Sequence, residues 1–277
     1  MRTGTDTVGP VQDQLSDGHS SPTADTAAAP SGAEEGVRPH RGRRRRRTDW
    51  RLGGTAVRAW NGSVLIVALV ALGAAIFTGS LVNLLWESPW APLASTAVLW
   101  VGMIVPVAVA FRRGRPAGLL RFRPADLVYG LALGLGLRVI DGWVTDAASR
   151  PLPTADMTPS WLLTDAVPAG LVGPVLEEFL FRTVILIAVY SLLRRPAGRP
   201  AAAVAAILVS TATFILIHVV DGSLPLGESI SVGAVGLVCA TLVILTGRIW
   251  GAVLVHIVYN ATMLLLIAAG AALSGGQ

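Results

Sequence analysis

Two adjacent carboxylates followed by an arginine, Glu177-Glu178-Phe179-Leu180-Phe181-Arg182, lie inside an otherwise apolar stretch. Charge in such a stretch is costly and marks a paired group or a site. At 100° per residue, Glu178 and Arg182 are nearly in register in the favourable acid-before-base order, whereas Glu177 points about 100° away from Glu178. Arg182 can therefore neutralise Glu178, leaving Glu177 available as a general base. A second apolar stretch carries Phe214-Ile215-Leu216-Ile217-His218, and a third carries His256-Ile257-Val258-Tyr259-Asn260, with His256 and Asn260 on one helical face. A lone histidine on an apolar helix is usually structural. Two of them, with a glutamate pair and an in-register asparagine, are the pattern of a water-filled site.

These groups need elements to hold them. The 277-residue chain is 53% hydrophobic and only 14% charged, against about 25% charged in soluble domains; its mean hydropathy is +0.62. Seven apolar runs follow Trp60, at about 63–86, 90–111, 127–144, 171–193, 201–220, 229–246 and 249–273. Each is near the ~20 residues that cross a bilayer as a helix, and too continuously apolar for barrel strands. The expected fold is an all-α polytopic transmembrane bundle of seven to eight helices. The eighth would be residues 161–170, an interfacial or re-entrant segment containing Asp165 and Pro168. Trp86, Trp90, Trp143, Trp161 and Trp250 fall near run ends, as interfacial anchors do.

Residues 1–55 read as a disordered, arginine-rich tail, too polar to offset chain entropy, and residues 56–277 as the membrane domain. Arginines 43–47 close the tail; Arg112, Arg113, Arg115, Arg121 and Arg123, then Arg194, Arg195 and Arg199, then Arg248 occupy alternate loops. The other loops hold Glu87, Asp146, Asp156 and Asp221, with Arg150 their only base. The positive-inside rule then sets the N-terminus in the cytoplasm of a multi-pass cell-membrane protein. No nucleic-acid partner is expected, because no aromatic residues interleave with the arginines.

Other polar groups in the runs read as structural. Arg138 and Asp141, three apart, can pair. Gly130 and Gly134 form a GxxxG suited to close helix packing. Cys239, the one cysteine, reads as a packed small residue.

The three motifs together resemble the CAAX-protease and bacteriocin-processing (Abi) family of intramembrane proteases. That family's pattern is EExxxR, FxxxH and HxxxN or HxxxD on successive separate helices. Glu177-Glu178…Arg182, Phe214…His218 and His256…Asn260 match in order, within about residues 171–273. The resemblance implies that Glu177, with His218, activates a water that attacks a peptide carbonyl. It implies that His256 and Asn260 stabilise the oxyanion, and that Glu178 and Arg182 hold the geometry. The substrate would be a membrane-associated peptide or protein. No cofactor is expected; a zinc-dependent alternative would make Glu177, His218 and His256 the ligands, although HExxH is absent. Two readings of other classes are a proton-coupled transporter, for which an internal repeat is lacking, and a non-catalytic scaffold or immunity protein.

Depth poses a geometric problem. At ~1.5 Å per residue, Glu177 lies ~9 Å past the outer start of its run and His256 ~9 Å from the inner start of its own. His218 lies near the outer end of a third. Helix tilt, breaks at Pro168 or Pro174, or run boundaries placed elsewhere would each bring them level, and the sequence does not choose between them.

Overall fold

The computed structural model describes residues 49–53, 55–220 and 224–274. Most of the expected tail, including its arginine run, lies outside the described residues. Among the described residues the chain is helical, with no strand. The helices are α1 (Gly62–Leu85), α2 (Ala91–Arg113), α3 (Pro124–Val144), a composite α4, α5 (Gly198–Val220), α6 (Leu226–Thr246) and α7 (Trp250–Ser274). All but α4 are long and apolar enough to cross a membrane.

Local chemistry sets their ends. Asn61 Oδ1 accepts from the Ser63 amide at the start of α1, satisfying one of the orphan donors of a first turn. Pro124 opens α3, where its missing N–H costs nothing, and the Asp126 carboxylate accepts from the Arg123 amide at 2.8 Å. Gly247, at φ +71°, ends α6 in the left-handed conformation that glycine adopts without strain.

α4 is a succession of linked turns. The π turns Leu162–Ala166 and Pro168–Val172 lead into the α-helical Gly173–Glu178, then the π stretch Phe179–Ile185 and the α-helical Leu186–Leu193. The segment 161–170, read from sequence as a possible separate element, is therefore the first part of α4. Pro168 opens a π turn and Pro174 sits in the first turn of the α-helical stretch, so neither breaks the element.

The outer surface is apolar, and the few polar groups of the bundle lie buried within a mainly apolar core. Ile66, Phe77, Val139, Leu245 and Leu265 are exposed, whereas Asp126, Glu178, Arg182, Ser210, Ser231 and His256 are buried. That arrangement suits a hydrocarbon solvent, in which polar groups must be satisfied internally. α4 is the central rod: residues 180–190 are buried on every face. Such a helix can be apolar all round because other helices surround it.

Two contacts fix the position of α7. A Cβ on Gly130 would lie 2.5 Å from Leu254 Cβ, and one on Gly134 2.8 Å from Val258 Cβ. The GxxxG thus lets the α3 backbone lie against α7. At the arginine-bearing end, Arg248 pairs with the buried Asp126 at 2.7 Å, and the Trp250 indole donates to Leu120 O at 2.9 Å. Trp50, which the sequence reading put inside the tail, is 1% exposed and donates Nε1–H to Gly247 O at 3.0 Å. The Tyr190 hydroxyl donates to Arg51 O, tying α4 to the same corner.

Candidate active site

The prolines of α4 create an acceptor. In a π turn the carbonyl of Ala169 would be bonded by the amide of residue 174, which is proline and has none. Asn260 on α7 takes that place, its Nδ2 donating to Ala169 O at 2.8 Å. One amide N–H of Asn260 is therefore committed to α4; the second N–H and the carbonyl are not needed for it. One turn on, a Cβ at Gly173 would sit 3.5 Å from Glu177 Oε1 and 3.1 Å from Pro168 O. The tight approach is to the Pro168 carbonyl, while the Glu177 carboxylate lies at ordinary contact distance.

The two glutamates separate as their 100° offset requires. Glu178 is fully buried, with Oε2 3.3 Å from Arg182 Nε and Oε1 3.1 Å from His256 Nδ1. Glu177 is partly open, with Oε2 3.8 Å from His256 Nε2. That gap exceeds a direct hydrogen bond. His256 thus stands between the carboxylates, donating Nδ1–H to the buried one and turning Nε2 toward the open one. Arg182 is wholly buried, and its nitrogens make no well-aligned hydrogen bond in the structure. It is held by the ionic contact with Glu178 and by the Phe214 ring, whose centroid lies 4.2 Å from its guanidinium carbon.

Phe214 joins the three motifs. Its ring is edge-on to Phe181 at 5.4 Å and to His256 at 5.7 Å, and lies 4.6 Å from the His218 ring. His218 Nδ1 is 2.8 Å from Phe214 O. A carbonyl only accepts, so Nδ1 carries a proton, and in the neutral imidazole Nε2 then keeps its lone pair.

These contacts resolve the depth problem. α5 and α7 run in the same direction, yet Phe214 in the last third of α5 meets His256 in the second turn of α7. The helices are offset by roughly 15 Å along their axes. α4 begins at Leu162, about two turns before its expected start, which places Glu177 roughly 22 Å from that end. His256, ~9 Å from the other end of a ~30 Å core, is then level with it.

Glu177, His218 and Asn260 line one cavity of about 1040 Å³, at the upper end of ligand pockets. His256 is buried behind it. The remaining wall comes from the start of α2, the first turns of α4 and the later part of α7, with Trp90, Trp100, Trp161 and Leu264 among its residues. Sequence reasoning placed the indoles of Trp90 and Trp161 at a membrane interface and did not assign Trp100. It did not identify Ala169 O, whose only signal was Pro174 five residues on.

The other polar groups are structural. Arg138 pairs with Asp141 at 2.6 Å and donates to Tyr259 O at 2.7 Å, bracing α7 one residue before Asn260. Cys239 is buried, with Sγ against Ala252 O. Among the described residues no three His, Cys, Asp or Glu side chains are grouped to hold one metal ion.

Residues 159–262 match the family model "Type II CAAX prenyl endopeptidase Rce1-like". The matched stretch contains the EExxxR, FxxxH and HxxxN residues, so the family resemblance read from them is borne out there, and it supports a CAAX-type membrane endopeptidase. No curated protein and no solved structure matches the chain.

Proposed function

Proceeding from that family match, we propose that this multi-pass membrane protein is an intramembrane endopeptidase of the glutamate type. It hydrolyses a peptide bond of a membrane-associated substrate with water activated by Glu177 and His218. The observation that carries the reading is the opening of Glu177, His218 and Asn260 into one cavity, with His256 held behind Glu177 by the buried Glu178–Arg182 pair.

The chemistry follows from the hydrogen bonds. Glu177 takes a proton from water as the water oxygen bonds to the carbonyl carbon, and the Nε2 lone pair of His218 orients that water. Charge then develops on the carbonyl oxygen. The remaining Asn260 N–H and a protonated His256 Nε2 donate to it, and such preorganised donors usually supply the greatest part of the rate enhancement in acyl transfer. As the tetrahedral species collapses the C–N bond breaks, and the proton on Glu177 passes to the leaving amine. Glu178, shared between Arg182 and His256 Nδ1, holds the imidazole in position through the step. No metal is required in this scheme.

Purified wild-type protein and Glu177→Gln, assayed on a library of membrane peptides with and without chelator, test the proposal. Cleavage lost in the variant and indifferent to chelator is the expected result. Cleavage lost with chelator and restored by zinc would replace the glutamate mechanism by a metal-dependent one. Proton-coupled solute uptake without cleavage would favour a transporter, and partner binding retained without cleavage would favour a scaffold.

A further inference from the structure

The cavity opens at one end of the bundle. Pro89 and Trp90 belong to the α1–α2 connection, Ala155 and Ser160 to the α3–α4 connection, and all four line it. Those connections lie at the end opposite the α2–α3, α4–α5 and α6–α7 connections. The latter hold Arg115, Arg121, Arg123, Arg195 and Arg248, and Arg51, which precedes α1, donates to Ile244 O at the same end. The connections at the cavity end hold Glu87, Asp146 and Asp156 with Arg150 as their one base. Positive residues in short connections stay on the cytoplasmic side. The mouth of the cavity therefore faces away from the cytoplasm.

The lining has a charge of its own. It includes the carboxylates of Asp165 and Glu177 and, among the described residues, no arginine; the chain has no lysine. A CAAX box is a C-terminal sequence, so cleavage within it brings a free carboxylate close to the scissile bond. Apart from the imidazoles of His218 and His256 at its catalytic end, this wall offers no basic side chain to receive it, and its two carboxylates repel it. Apolar wall residues such as Trp100 and Leu264 instead suit the side chains of an internal segment.

We propose that the cavity receives an internal, neutral or basic stretch of a polypeptide on the extracytoplasmic face of the membrane, an exported chain rather than a cytoplasmic CAAX terminus. The proposal rests on the endopeptidase reading for what happens to that segment, and on charge and geometry for the side from which it enters.

The test separates the two. In a Cys239→Ala background, single cysteines are placed at the mouth (Ser160→Cys) and at the opposite end (Arg195→Cys). Both are treated with a membrane-impermeant maleimide in intact cells, in inverted vesicles and after denaturation. Labelling of Ser160→Cys in intact cells, with Arg195→Cys labelled only in inverted vesicles, is expected. The reverse pattern overturns the proposal, and so does a mouth cysteine that labels only after denaturation. The second arm gives spheroplasts an impermeant quenched peptide of alanine, leucine and arginine, beside an acidic counterpart. Cleavage of the basic peptide at least tenfold faster, and absent in Glu177→Gln, is expected. Equal rates, or cleavage only of a prenylated C-terminal peptide supplied to inverted vesicles, overturn the assignment. No cleavage of any peptide, together with the expected labelling, refutes the endopeptidase reading and with it this substrate class, while the outward opening stands.

Discussion

Replacing Arg182 with methionine removes one partner of a buried ion pair while keeping an unbranched side chain against Phe214. Glu178 is then a fully buried carboxylate with His256 Nδ1 as its remaining partner. Breaking such a pair costs about 3–5 kcal/mol, because one charge is left uncompensated. Replacing both members with neutral groups of similar shape is often close to neutral. The double variant Glu178→Gln/Arg182→Met is thus expected to recover most of what Arg182→Met loses. At about 2–4 °C per kcal/mol for a domain of this size, the single variant should melt roughly 6–20 °C below wild type in a thermal unfolding assay in detergent. The double variant should return to within a few degrees. Activity would not return with stability, since a neutral amide in place of the Glu178 carboxylate cannot hold a charged His256 imidazole in the same way. A single variant that melts with wild type, or a double variant less stable than the single, would show that the pair does not carry the local electrostatic balance.

Three further outcomes follow from the geometry. Gly134→Leu sets a side chain against Val258 Cβ and Val255 O, both within 3 Å of its Cβ; it should cost about 1–3 kcal/mol in unfolding experiments and slow cleavage by displacing Asn260. Asn260→Ala removes an oxyanion donor and the partner of Ala169 O; kcat should fall about 10²–10³-fold with KM changed far less, and an equal rise in KM with kcat intact would contradict the assigned role. Deleting arginines 43–47, which precede the packed segment at Trp50, should leave kcat of correctly inserted protein unchanged, as a peptide-cleavage assay of the purified variant would show.

Much of this protein is legible in its sequence because the governing forces are local or periodic. A bilayer requires about 20 apolar residues per crossing, so the runs near 63–86, 90–111 and 249–273 became α1, α2 and α7 within a few residues. Helical rotation alone separates a Glu178 that meets Arg182 from a Glu177 that does not, and the 3.3 Å contact and the partly open Glu177 follow that division. The two glycines of α3 predict close packing because a backbone without Cβ can approach another helix. Proline 168 and proline 174 read locally as breaks, and α4 continues through them. Asn260, 91 residues beyond Ala169, supplies the donor that Pro174 lacks, and nothing near the proline announces it. The roughly 15 Å offset of α5 against α7 likewise depends on Phe214 seating among Phe181, His218 and His256. The burial of Trp50 depends on a carbonyl 197 positions away. Which residues can cross the membrane or ionise is set within a few turns of helix, and the sequence determines it. The common depth of Glu177 and His256 and the end at which their cavity opens depend on how whole helices slide past one another, and only tertiary packing sets that.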